Sequence, residues 1–345
     1  MDVESGEPIE QTSRKNCVVA VILTVLCSFV VAGIVVGILI ATNVINVNSS
    51  SPSNYPVDSS DPSTITHIKT HYRFVNNTPF TTYENMTTLW YDEFDGDSLD
   101  DTKWSGEIPR GWYAKKDQQQ IYTTDKENLN VANGTLNIIA TNTDGVYKSA
   151  WVDSSNKFVF FPGMVVENKT ISTVRLETRI KLDTNGQGLW PAFWLAPSNH
   201  TRYGDSPGSG EMDIMETIND MIDMNQVAHF GGMTDRKRIK SNNFLPDKTS
   251  WINDYHTYAL TWSVDKMTFE IDNNETMSVF PKSITHPDGW FTTDPTAGPT
   301  APFDAPFYII INFAVGGNWP KNANDTTQFP AAMHIDYVRV FGKTD

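Results

Sequence analysis

Short runs in which apolar and polar residues alternate with period two, with no long amphipathic helical pattern between them, most limit what this chain can fold into. Val174 to Ile180, Met267 to Ile271 and His334 to Phe341 alternate in this way, and Phe307 to Val315 is a continuous apolar run. Thr135 to Ala140 follows the turn signal Asn133-Gly134. Many short strands in one domain of this size predict an all-β fold, an antiparallel sandwich or jelly roll of two curved sheets. A curved sandwich offers a concave face on which a polymer can lie.

The segment Gly210-Glu211-Met212-Asp213-Ile214-Met215-Glu216 sets three carboxylates among apolar residues. As a strand it sends Glu211 and Asp213 to one face and Met212 and Ile214 to the other. Glu216 then falls on the wrong face. One extra residue, a β-bulge at Ile214-Met215, would return it to the side of Glu211 and Asp213. With one residue lost to the bulge, the outer Cα atoms would lie about 13 Å apart at about 3.3 Å per residue, so the long Glu side chains must close the gap. Carboxyl groups about 5 Å apart suit a retaining glycosidase, and about 6.5 to 9.5 Å would admit a water for inversion. The plainer reading is an edge strand that carries charge to discourage pairing.

Aromatic residues fit a sugar-binding groove. Trp190 and Trp194 fall on the same face of a strand, and Trp319 follows the pair Gly316-Gly317 in a loop. Indole faces stack on the apolar faces of sugar rings, although core packing is the ordinary fate of a tryptophan.

Residues 18 to 41 contain no charged side chain, and a helix of that length reaches about 36 Å, enough to cross a bilayer. Arg14 and Lys15 precede the run and no Lys or Arg follows until Lys69, so the positive-inside rule places the N-terminus in the cytosol. The expected organisation is a cytosolic tail over 1–16, a transmembrane anchor over 17–43, a Ser/Thr/Pro-rich stalk over 44–85 and a catalytic domain over 86–345. That describes a single-pass type II membrane protein with its large domain extracellular or in the secretory lumen. Eight N-x-[ST] sequons, at Asn48, Asn76, Asn85, Asn133, Asn168, Asn199, Asn274 and Asn324, all follow the apolar run. The two cysteines, Cys17 and Cys27, lie at or inside it, which leaves the large domain without a disulfide.

The net charge is −15, of which Asp2, Glu4, Glu7 and Glu10 against Arg14 and Lys15 contribute −2, leaving −13 beyond the anchor. So acidic a surface argues against nucleic acid or an anionic polymer as partner and is compatible with a neutral polysaccharide.

Four motifs in order, Gly188-Leu189-Trp190-Pro191-Ala192-Phe193-Trp194-Leu195, the acidic segment 210–216, Asn312-Phe313-Ala314-Val315-Gly316-Gly317-Asn318-Trp319-Pro320 and Ile335-Asp336-Tyr337-Val338-Arg339-Val340, resemble glycoside hydrolase family 16 and its β-1,3-glucanase (laminarinase) branch. The likeness covers about Leu89 to Phe341. It implies a β-jelly roll with a concave substrate cleft, Glu211 as nucleophile, Glu216 as acid/base and Asp213 as the helper between them. Trp190, Trp194, His229 and Trp319 would bind substrate, with His229 near the leaving-group side. The longer E-x-D-x-x-E spacing resembles laminarinases and some red-algal polysaccharide hydrolases, whereas lichenases usually have E-x-D-x-E. Red-algal substrates are often sulfated, and no basic cluster stands near the motif in sequence, so the expected substrate is a neutral β-glucan, laminarin-type and β-1,3-linked.

No second His or Cys accompanies His229 at zinc spacing, so no cofactor is expected for catalysis. Some members of the family bind calcium on the convex face, and the resemblance carries such a structural calcium site onto Glu93, Gly134 and Asp336. The sequence departs from the family at Trp151, where an Arg is common, at Asp117, where many laminarinases have a sugar-contacting Asn, and in an apparent insertion from Phe161 to Ser172. A wall-building transglycosylase would use the same carboxylates. A glucan receptor without catalysis is the alternative of a different class.

Overall fold

A computed structural model describes residues 83, 85–106 and 117–344, with the backbone of the short strands Phe74–Val75 and Thr78–Pro79. These residues all belong to the compact unit Tyr55–Asp345. The expected tail, the 17–43 anchor and most of the stalk lie outside the described residues. Among the described residues no helix is long and apolar enough to cross a membrane.

The domain is an all-β, jelly-roll-like fold of two large sheets. The inner sheet runs Arg236–Asn243, Met224–Gly231, Glu211–Glu216, Leu189–Pro197, Phe307–Val315, Trp151–Asp153, and each neighbouring pair is antiparallel. The outer sheet is eleven-stranded and centres on the long strands Lys169–Leu182 and Ala331–Thr344. It includes one parallel pair, Ile121–Tyr122 with Val146–Ser149, a departure from a wholly antiparallel sandwich.

The two faces of each inner strand meet different surroundings, which accounts for its sequence. Phe307, Ile309, Ile311, Phe313 and Val315 enter the main core between the sheets. Tyr308 and Ile310, from the opposite face, join a second buried cluster with Tyr122, Trp151 and Ala196, packed against Trp194. A strand covered on both faces must be apolar at nearly every position, and all nine residues from Phe307 to Val315 are buried. Its one polar residue, Asn312, therefore has a reason to be there.

The stretch from Phe161 to Ser172 forms a hairpin, with Val165–Val166 folded back on Lys169 and Thr170. Glu167 and Asn168 at its tip have φ of 48° and 63°, as a two-residue type I′ turn requires. The sequon asparagines Asn85, Asn133, Asn168, Asn199, Asn274 and Asn324 are all exposed.

Candidate active site

The bulge expected at Ile214-Met215 is present. On one side Glu211, Asp213 and Glu216 pair with His229, Val227 and Asn225, so Ile214 and Met215 together oppose Gln226. On the other side Asp213 pairs with Trp194 and Glu216 with Ala192. Met212, Ile214 and Met215 all enter the main core, and the three carboxylates share one depression on the concave face. Gly210 enters the strand with φ of 86°, and a Cβ there would stand 2.8 Å from the Phe303 ring, so a side chain before Glu211 would displace the strand.

Each acid has distinct surroundings. Glu216 lies over the small Ala192 and accepts a hydrogen bond from the indole N–H of Trp190 at 2.8 Å. Burial, reinforced by the negative charge of Asp213, pushes its carboxyl up to about 8. Asp213 is 5% exposed and lies 3.1 Å from His229 Nε2, while Glu211 Oε1 is 3.8 Å from the same nitrogen. Burial works against a charge on His229, but its bond to Asp213 and the nearby Glu211 and Glu216 carboxylates more than reverse this and raise it to about 9. Both shifts favour a cationic imidazole beside Glu211 and Asp213 and a protonated carboxyl on Glu216 at neutral pH.

Trp190 and Trp319 meet edge to face at 5.4 Å, and Trp319 is 41% exposed. Trp194 donates its indole N–H to Asn312 at 2.8 Å and packs edge-on against Trp151 at 5.6 Å. Asn312 in turn donates to the Tyr122 hydroxyl at 3.1 Å. Gln118, Tyr122, Trp151 and Asn312 line the depression with the acids, and sequence reasoning did not place them there. Asn312 carried a readable signal, a lone amide within an apolar run. Asp117 holds the Trp319 loop by accepting from the Asn318 amide at 3.2 Å. Gly316, in the same loop, has φ of 76° and approaches the Gln119 side chain so closely that a Cβ would lie 2.7 Å from it.

At the residues expected to hold calcium, Arg339 donates to both Glu93 oxygens at 2.7 Å and Arg179 donates to Asp336 at 2.7 Å, so these carboxylates are engaged by guanidinium groups. Among the described residues the one cluster of His, Cys, Asp and Glu side chains with the spacing of metal ligands is Glu211, Asp213 and His229. No basic cluster stands near the motif in sequence, but pairing brings basic residues to a neighbouring strand. Strand register carries Arg238 to the flank of His229, and Lys240 to the flank of Val227 beside Asp213.

A family model described as "Beta-porphyranase A-D, GH16 domain" matches residues 81–342. The chain is 33% identical over 274 residues to the glucan endo-1,3-beta-glucosidase A1 of Niallia circulans, covering 74% of this chain and 38% of that one. It is 29% identical over 283 residues to the keratan-sulfate endo-1,4-beta-galactosidase of Sphingobacterium multivorum, covering 80% and 60% respectively. The chain thus spans less than two thirds of either relative. The structure of the endo-beta-1,3-glucanase from Pyrococcus furiosus superposes with a TM-score of 0.61 at 29% identity, covering 75% of this chain and 96% of that one.

Proposed function

The chain belongs to glycoside hydrolase family 16, and on that premise we propose that it is a retaining endo-glycosidase that cuts β-1,3-glucan by double displacement. The observation that carries the reading is the bulged strand, which puts Glu211, Asp213 and Glu216 on one face, where burial raises the Glu216 carboxyl to about 8. Laminarinase-type relatives support the glucan backbone as substrate.

In the first step Glu216 gives its proton to the leaving glycosidic oxygen while Glu211 attacks the anomeric carbon. His229 Nε2 lies 3.8 Å from Glu211 and 3.1 Å from Asp213, which sets an imidazole beside both carboxylates. In the second step the ionised Glu216 takes a proton from water, which displaces Glu211 from the sugar. Trp190, Trp194 and Trp319 give the sugar rings apolar faces beside the acids. From the uncharged run over 18–41 and the basic pair before it, we place the cleft on the exoplasmic side of a membrane.

The test is release of reducing ends from laminarin by the full-chain protein. Glu211→Gln and Glu216→Gln should each abolish it while leaving oligosaccharide binding intact. Absence of cleavage by the wild type on any β-glucan would defeat the reading. Products longer than the substrate would assign the second step to sugar transfer in place of hydrolysis.

A further inference from the structure

The bulge of the acidic strand has a polar partner inside the core. Gln226 opposes Ile214 and Met215 and is fully buried, on the strand face that also sends Met224, Ala228 and Phe230 into the main core. An amide in such a place costs stability unless its polar groups find partners. Gln226 Nε2 donates to the Ile214 carbonyl at 2.9 Å and to the Glu270 carbonyl at 3.2 Å, and its Oε1 accepts from the Thr276 hydroxyl. Carbonyl oxygens can only accept, so these partners also fix which way the amide points.

The partners have an irregularity in common. In the outer sheet Phe269 pairs with Met277 and Glu270 with Glu275, so Thr276 is an extra residue and its strand, Asn274–Val279, is bulged as well. A bulge interrupts the ladder and leaves backbone groups to be satisfied by other means. Gln226 therefore joins two bulges, one in each sheet. The Ile214 carbonyl lies in the chain between Asp213 and Glu216. Whatever fixes that carbonyl fixes the stretch of backbone that returns Glu216 to the cleft face.

We propose that Gln226 is a positioning residue for glycan cleavage: through the Ile214 carbonyl it ties the bulge to Glu270 and Thr276 of the outer sheet, and so holds Glu216 at its working separation from Glu211 and Asp213. The proposal rests on the reading of these carboxylates as the catalytic group and deepens it by naming what sets their spacing. Gln226 faces the core and touches no sugar. Misplacing a reacting group by about 1 Å can cost about 100-fold in rate. An anchor of this kind therefore acts on kcat and leaves binding by the tryptophans of the cleft as it is.

Gln226→Met keeps the length of the side chain and removes its hydrogen bonds. On laminarin the full-chain variant should lose about tenfold to 100-fold in kcat, with KM within about twofold of wild type. Thr276→Val, which removes the partner of Oε1 and spares both carbonyl bonds, should show a smaller loss of the same kind. Asn128→Leu is the control for a structural role alone. Its buried amide donates to the Ile139 carbonyl at 2.9 Å and to the Thr141 hydroxyl at 3.0 Å, so its loss should lower the melting temperature and leave kcat unchanged. A Gln226→Met protein that loses stability but keeps its kcat would overturn the proposal.

Deleting Ile214 removes the carbonyl that Gln226 holds, so in that background Gln226→Met should lower kcat by less than about twofold. An undiminished loss there would place the effect elsewhere and overturn the proposal. Hydrogen exchange read by NMR needs no turnover, so it tests the anchor even if no glucan is cleaved, and the two readings fail separately. In Gln226→Met the amides of Met215 and Glu216 should accelerate at least about tenfold more than those of Phe307–Val315. Equal acceleration in both strands would mean a general loss of stability, and no acceleration would mean that the bulge holds itself. Either result would overturn the proposal.

Discussion

The indole N–H of Trp190 donates to Glu216 Oε1 at 2.8 Å, so a wall of the cleft also holds the acid. The bond favours the ionised carboxylate and opposes the upward push of burial and of Asp213, which together leave Glu216 at about 8. Trp190→Phe keeps an aromatic face and removes the donor. The alkaline limb of kcat/KM should then move upward by about one unit, since a hydrogen bond to a charged group contributes about 1.5–3 kcal/mol. A pH–rate profile from 5 to 10 reads the shift, and a limb that moves downward would contradict the assignment.

Stability should carry the mark of the same group. Glu216 is raised from 4.5 to about 8, so between those values the folded protein keeps a proton that the unfolded chain has lost. Folding is therefore favoured at the acid end of the window, and that stabilisation is lost as pH rises through about 8. His229, raised from 6.5 to about 9, adds a slope of the same sign over its own window. Glu216→Gln cannot ionise. Its melting temperature relative to wild type should climb steadily from pH 4.5 to 8, as read by thermal denaturation across buffers.

The bulge can be tested by removing it. Deleting Ile214 gives the spacing E-x-D-x-E, in which simple alternation keeps all three carboxylates on the cleft face without a bulge, while Met215 takes the core position beside Met212. Cleavage should persist at a reduced rate and the protein should lose about 2–5 kcal/mol with the core side chain of Ile214, whereas complete loss of activity in a folded variant would contradict the parity argument. Ile214→Val keeps the residue count and should cost about 0.5–1.5 kcal/mol with activity retained.

These tests draw on features of unequal visibility in the sequence. The strands Met267–Ile271 and Phe307–Val315 have the bounds that their patterns predict. The bulge followed from the parity of Glu211 and Glu216, since period-two alternation leaves a single way to bring them together. Arg238 and Glu93 were illegible for one shared reason. Arg238 comes to lie beside His229 through strand pairing, and Glu93 meets Arg339 from 246 positions away. No local pattern encodes which strands become neighbours. Tyr122 and Gln118 likewise enter the cleft through pairings that their own segment does not announce.

The Arg339 guanidinium is fully buried and both Glu93 oxygens accept from it. Glu93→Ala would leave that charge without its carboxylate and should cost about 3–5 kcal/mol in denaturant unfolding. The exposed Glu127→Ala should stay within about 0.5 kcal/mol. Because arginines occupy Glu93 and Asp336, adding EDTA should leave the melting temperature of the wild type unchanged.

The central claim, that Glu211 attacks the sugar and Glu216 serves as acid and then base, fixes the configuration of the first product. Proton NMR of laminari-oligosaccharide cleavage, recorded before mutarotation, reads that configuration directly. Two successive displacements predict that the new reducing end appears first as the β-anomer. An α-anomer formed first would mean a single displacement by water and would contradict Glu211 as the nucleophile.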